Sequence, residues 1–126
     1  PLQKVLSPKD IEEMREVMHK VYMEEKLKDY ILHLVNSTRH PERYPRLNDL
    51  KGLIEFGASP RATIFLARAA KTNAYISGRA YVIPDDIKMI AKDVLRHRII
   101  LTYEAEAEEI TSEDIINRIL DEIEVP

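Results

Sequence analysis

The chain has 126 residues, a length that suits one domain with an adequate core. Hydrophobic residues make up 44% and charged residues 33%, so it should fold rather than stay disordered. It has no cysteine, which excludes disulfides, a thiolate zinc site and a cysteine nucleophile, and no apolar run of about 18 residues that would span a membrane.

The net charge of −3 is unevenly spread. Residues 104–126 hold nine acidic side chains and one basic one, Arg118, for a charge of −8, and the remainder carries +5. A basic body suits a phosphate ligand or an acidic partner, while the acidic segment reads first as a solvated helix face. No signal peptide is visible. A start at proline rather than methionine reads as that of a piece of a longer protein.

Pro1–Leu6 reads as a linker. Ser7-Pro8-Lys9-Asp10 then carries helix-start chemistry, with a serine cap, proline at the first helical position and aspartate near the capping-box spacing. Ile11, Met14, Met18 and Val21 recur at helical spacing, and this helix is expected to end near Met18–Lys20. Val21-Tyr22-Met23 is β-prone and reads as a short extended link. A second helix is predicted over about Glu24–Arg39, with Leu27, Tyr30, Ile31, Leu34 and Val35 as its apolar stripe. It stops before Pro41. His33 has no histidine at i+4 and reads as a surface or partly buried residue. His40–Phe56 reads as a loop whose second half is pinned to the core by Leu50, Leu53, Ile54 and Phe56. Arg39, Arg43, Arg46 and Tyr44 lie close enough in sequence for a base-stacking strip, but a solvated loop is the better reading.

The third helix, about Pro60–Ile76, is rich in alanine and is expected to be central; Gly78 ends it. Pro84-Asp85-Asp86 opens the fourth, with acids where the helix dipole favours them and Ile87, Ile90, Ala91, Val94 and Leu95 as its buried stripe. Arg96, His97 and Arg98 close that helix at the end that favours cations. Ile99-Ile100-Leu101 can pair with Tyr81-Val82-Ile83 as a two-stranded strap. Glu104–Glu109 is expected to form one helical turn. Thr111-Ser112-Glu113-Asp114 starts the last helix, whose Ile115, Ile116, Ile119, Leu120 and Ile123 complete the core. The expectation is an all-α domain, a small bundle of about five helices with a short strap.

The candidate site is Gly57-Ala58-Ser59-Pro60-Arg61-Ala62. Ser59 is a preferred N-cap type, Pro60 suits the first helical position, and Gly57 allows an unusual backbone conformation before them. Arg61 then falls in the first turn, where the dipole disfavours a cation. An arginine there calls for an anion: a neighbouring carboxylate in the plain reading, a ligand in the functional one. Nothing else reads as catalytic. The three glycines, at 52, 57 and 78, build no P-loop, and the four histidines show no zinc spacing.

Three stretches, Gly57–Ala62, Gly78–Ile87 and Val94–Arg98, resemble in order and spacing the C-terminal lid of MoxR-type AAA+ ATPases. That resemblance implies a lid over residues 7–126, with residues 1–6 as a linker from an ATPase core. It implies that Arg61 is the sensor-2 residue, acting catalytically on ATP and Mg held by the core, with Ser59, Pro60 and Arg61 on the nucleotide. It further implies a cytoplasmic, chaperone-like hexamer. Its partners would be the core, neighbouring subunits and a client complex matured or loaded with metal, with no membrane and no nucleic acid. The fragment alone is not expected to hydrolyse ATP. The alternative is a stand-alone helical module that binds protein or nucleic acid, for which the third helix offers Arg61, Arg68, Lys71, Thr72 and Asn73.

Overall fold

The computed structural model describes residues 1–126. Six α-helices carry the fold: α1 (Pro8–His19), α2 (Glu25–Arg39), α3 (Ala62–Ile76), α4 (Pro84–Leu95), α5 (Tyr103–Ala107) and α6 (Ser112–Glu122). Two 3₁₀ turns, Pro41–Arg43 and Asn48–Gly52, lead into β1 (Ile54–Phe56), which pairs antiparallel with β2 (Ile100–Leu101). The sixth helix beyond the expected five is α5, the acidic turn.

Helix starts follow local chemistry. Ser7 Oγ accepts the Asp10 amide at 3.2 Å while the Asp10 carboxylate accepts the Ser7 amide at 2.9 Å. Thr111 and Asp114 repeat the reciprocal pair ahead of α6, at 3.1 and 2.9 Å. Each box satisfies two backbone donors that the helix cannot. At α4 only half of it exists: Asp86 accepts the Ile83 amide at 2.8 Å, and the isoleucine side chain has nothing to return.

The core is built around α3. Ala62, Leu66, Ala70 and Ala74, each four residues from the next, have no solvent exposure. Their small side chains let α4 come close with Ile87, Ala91 and Leu95, and α3 also packs on α2 and α1. From the other side α6 inserts Ile115, Ile116 and Ile119 between α2 and α4. By contrast α1 buries none of its residues; Ile11 and Val17 remain about half exposed.

Two sequence expectations change. The strap forms, but Ile100–Leu101 pairs with Ile54–Phe56, not with Tyr81–Ile83. The Tyr81 stretch instead lies parallel to Tyr22: the Tyr22 amide donates to the Ala80 carbonyl at 2.9 Å and the Val82 amide to the Tyr22 carbonyl at 2.8 Å. The His40–Phe56 segment is more structured than a loop. Leu47, Leu50 and Ile54 are buried, yet Phe56 points out and is 61% exposed, so it pins nothing.

Acidic residues of α5 face water. Glu106, Glu108 and Glu109 are exposed and form no ion pair. Replacing all three with glutamine is expected to change unfolding free energy by less than about 1 kcal/mol in a urea titration. A larger loss would mean that their charge serves the fold. Glu109 also holds a left-handed backbone, φ 59°, at the end of α5, a place that favours glycine.

Candidate functional site

The turn that carries Arg61 is held by the end of α2. Gly57 lies so close to it that an added Cβ would collide with the Thr38 carbonyl and the Arg39 amide. Its φ is not positive, so the glycine is required for space and not, as expected, for backbone freedom. Next to it Ala58 is fully buried, and its amide donates to Thr38 Oγ1 at 2.9 Å. Thr38 Oγ1 in turn donates to the Val35 carbonyl at 2.6 Å, which orients its lone pairs toward Ala58. Arg39 Nη1 reaches the Ala58 carbonyl at 3.4 Å. Thr38 is therefore a positioning residue that sequence reading missed, because its partner lies 20 residues away. Thr38→Val keeps the shape but strips the buried Ala58 amide of its acceptor. The expected cost is about 1–3 kcal/mol in chemical denaturation, and a cost near zero would mean the clamp is dispensable.

The helix start differs from the expected capped one. The amides of Ala62, Thr63 and Ile64 donate to the carbonyls of Ser59, Pro60 and Arg61 at 2.9, 3.1 and 3.0 Å. This is a 3₁₀ turn, and the α-helix begins at Ala62 rather than Pro60. Ser59 is not a side-chain cap: the helix start has no side-chain capping bond, and Ser59 is exposed. Nor are the first-turn amides free. The backbone donors left without a protein acceptor near Pro60 are those of Ser59 and Arg61.

Arg61 is exposed and makes neither an ion pair nor a hydrogen bond through its side chain. The neighbouring carboxylate of the plain reading is absent. Other cations gather instead. Arg39 sits on the Ala58 carbonyl, and the Arg98 guanidinium stacks 4.4 Å above the ring of Phe65, one helical turn from Arg61. None of the three has an acidic partner. An unpaired guanidinium at the positive end of a helix is disfavoured by the dipole, and an anion relieves this.

The second motif, Gly78–Ile87, is structural. Gly78, at φ 80°, ends α3; its amide donates to Tyr75 and that of Arg79 to Ala74. This aims Arg79 at Asp86, which it grips with both arms at 2.5 and 2.6 Å. Asp86 is 1% exposed and also accepts from Asn73 at 2.8 Å and from the Ile83 amide. Burial opposes its charge, but the Arg79 bonds, the Ile83 amide and Asn73 together hold its carboxyl below the ordinary carboxylate range. The sequence reading credited Asp86 only to the helix dipole; an arginine seven residues earlier was the signal.

The third motif splits. Arg96 pairs with Asp93 at 3.2 Å and Glu113 at 2.7 Å, so it ties α4 to the start of α6. Arg98 goes to Phe65. The arginine–tyrosine strip does not assemble. Tyr44 presents its ring edge-on to His33 and bonds its Nδ1 at 3.0 Å, and Arg46 lies 3.8 Å from Glu122. The α3 reading face is also incomplete, since Asn73 is bound to Asp86 and the Thr72 hydroxyl to the Arg68 carbonyl at 2.9 Å.

Comparison with known proteins bears on the family and the fold. The AAA lid domain family matches residues 49–119, more than half of the chain. Chaperone MoxR1 of Mycobacterium tuberculosis is 41% identical over 98% of this chain and 33% of its own length. Protein YeaC of Bacillus subtilis, uncharacterised, is 34% identical over 99% of this chain and 36% of its own. A crystal structure of a candidate ATPase from Cytophaga hutchinsonii superposes with a TM-score of 0.94 and 46% identity, over 98% of this chain and 37% of that one. The chain thus spans about a third of the length of these relatives. It belongs to the AAA lid domain family, within the MoxR group.

Proposed function

We propose that the chain is the C-terminal lid of a MoxR-type AAA+ ATPase and that Arg61 is its sensor-2 residue, set against the phosphates of ATP bound by a separate core. The observation that carries this is an exposed, unpaired Arg61 on a turn clamped by Thr38 and Arg39. A guanidinium presents a planar fork that matches phosphate oxygens, and a clamped turn holds it without reorganisation during turnover. The Ser59 hydroxyl and the Arg61 amide add neutral donors beside it.

Bound ATP would supply the transferable phosphoryl group, and this chain would supply one cation to it from the lid side. Magnesium ligation falls to the core and the phosphates in this reading. The best-placed carboxylate near the motifs, Asp86, is consumed by Arg79, and no three carboxylate or imidazole groups cluster. No helix is long and apolar enough to cross a membrane. The whole protein is proposed to act in the cytoplasm as a hexameric, chaperone-like ATPase, a role in keeping with the name of the Mycobacterium relative.

The test is ATP turnover by the whole protein carrying Arg61→Ala. A fall with an unchanged melting temperature supports the assignment; parental turnover refutes it.

A further inference from the structure

Away from Arg61, Arg15, Met18 and His19 of α1 face Arg68, Lys71 and Thr72 of α3 across an open groove of about 340 Å³. That volume lies within the range of small-ligand sites. Arg68 is seven residues along α3 from Arg61, roughly 10 Å at the helical rise, so the two positions are separate.

The groove is charged but uncompensated. Arg15 and Arg68 make no ion pair. Lys71 Nζ meets only the His19 carbonyl, at a long 3.5 Å, where it touches the negative end of α1. Glu12 and Glu16, on the same helix as Arg15, form no ion pair with any of these cations. Thr72 spends its hydroxyl proton on the Arg68 carbonyl, so the cations and the His19 ring N–H define the recognition. Only Met18 is hydrophobic, which leaves little for the side chains of a bound peptide to cover.

We infer that the α1–α3 groove is a second anion site, which takes a multivalent phosphate: a free pyrophosphate-like anion or the phosphate chain of a nucleotide. Two linked phosphates can meet Arg15 on one wall and Arg68 with Lys71 on the other at the same time. A single carboxylate brings one negative charge to the three cations Arg15, Arg68 and Lys71. Guanidinium forks on both walls match phosphate oxygens bidentately, and a linked phosphate brings more negative charge to them than a carboxylate does. This inference stands apart from the role given to Arg61.

Calorimetric titration of the chain with pyrophosphate at low ionic strength tests it. The expected result is binding in the groove with Kd below about 1 mM, weakening as salt rises. Arg15→Ala/Arg68→Ala should weaken binding by about 10-fold or more, the loss of two charge-assisted contacts, and Arg46→Ala, at an exposed arginine outside both sites, should leave it within about 2-fold. Both arginines are exposed, so the double variant should fold, which its circular dichroism checks. Amide shifts on pyrophosphate addition should centre on residues 15–19 and 68–72. ADP binding more tightly than pyrophosphate marks a nucleotide as the source, and the reverse marks a free polyphosphate; both support the site. Undiminished binding by the double variant overturns it. So do amide shifts centred on Ser59–Ala62 instead, which would move the anion to the α3 start. Capture of a glutamate-rich peptide by the groove with no response to pyrophosphate would also overturn it, in favour of an acidic protein partner.

Discussion

Asp86→Ala is expected to destabilise the chain by about 3–5 kcal/mol, the cost of leaving a partner charge and two donors without their acceptor. Asp86 is nearly inaccessible and gathers Arg79, Asn73 and the Ile83 amide onto one carboxylate. Truncation removes the tie between the end of α3 and the start of α4, the pair of helices that packs most extensively. It also removes the surviving half of the α4 capping box. Urea unfolding at neutral pH measures the effect, and a loss under about 1 kcal/mol would place this pair among exposed ones that contribute little. The same network predicts a pH dependence. The carboxyl of folded Asp86 lies below its ordinary value, so its contribution is complete above the usual carboxylate range, near pH 4. It is lost as pH falls below that range through the folded value. Asp86→Ala should therefore flatten the acid limb of the stability curve as well as lower its plateau.

What could be read from sequence was local. Ser7 with Asp10 and Thr111 with Asp114 are three residues apart, and each box formed as its spacing implied. The alanine content of the third helix marked it as central before any partner was known, and its buried face is Ala62, Leu66, Ala70 and Ala74. Strand pairing was not legible, because Val21–Met23, Tyr81–Ile83 and Ile99–Leu101 are all β-prone while Ile54–Phe56, interrupted by Glu55, reads as loop. Only the packing of α2, α3 and α4 decides which stretches meet.

The candidate site was legible in identity but not in mechanism. Gly57, Ser59 and Pro60 suggested a capped helix start. The structure shows a crowded crossing at Gly57 and a 3₁₀ turn that consumes the amides a cap would serve. Tertiary contact with Thr38 outweighed the local preference of serine for capping. Arg39 and Arg98 joined the site through contacts 19 and 33 residues apart in sequence, which no spacing rule reaches.

Arg61 carries the central claim and the largest expected effect on activity. A cation helps the reaction only as far as it strengthens while charge develops on the transferring phosphoryl group. Its removal should then lower kcat more than it raises KM for ATP. The expected loss is about 10-fold to 1000-fold, within what arginines contribute to such transfers. Arg61→Lys should recover part of it, since lysine restores the charge without the planar fork. The clamp on Ala58 involves Thr38 and Arg39 and not the Arg61 side chain, so the fold should be untouched. Arg96→Ala is the control, because Arg96 is engaged with Asp93 and Glu113 and has no role at the phosphates. The most direct measurement is kcat for ATP hydrolysis by the whole Arg61→Ala protein, with its melting temperature recorded alongside. At least about a 10-fold fall in kcat at an unchanged melting temperature is expected. Parental kcat at that same melting temperature would contradict it.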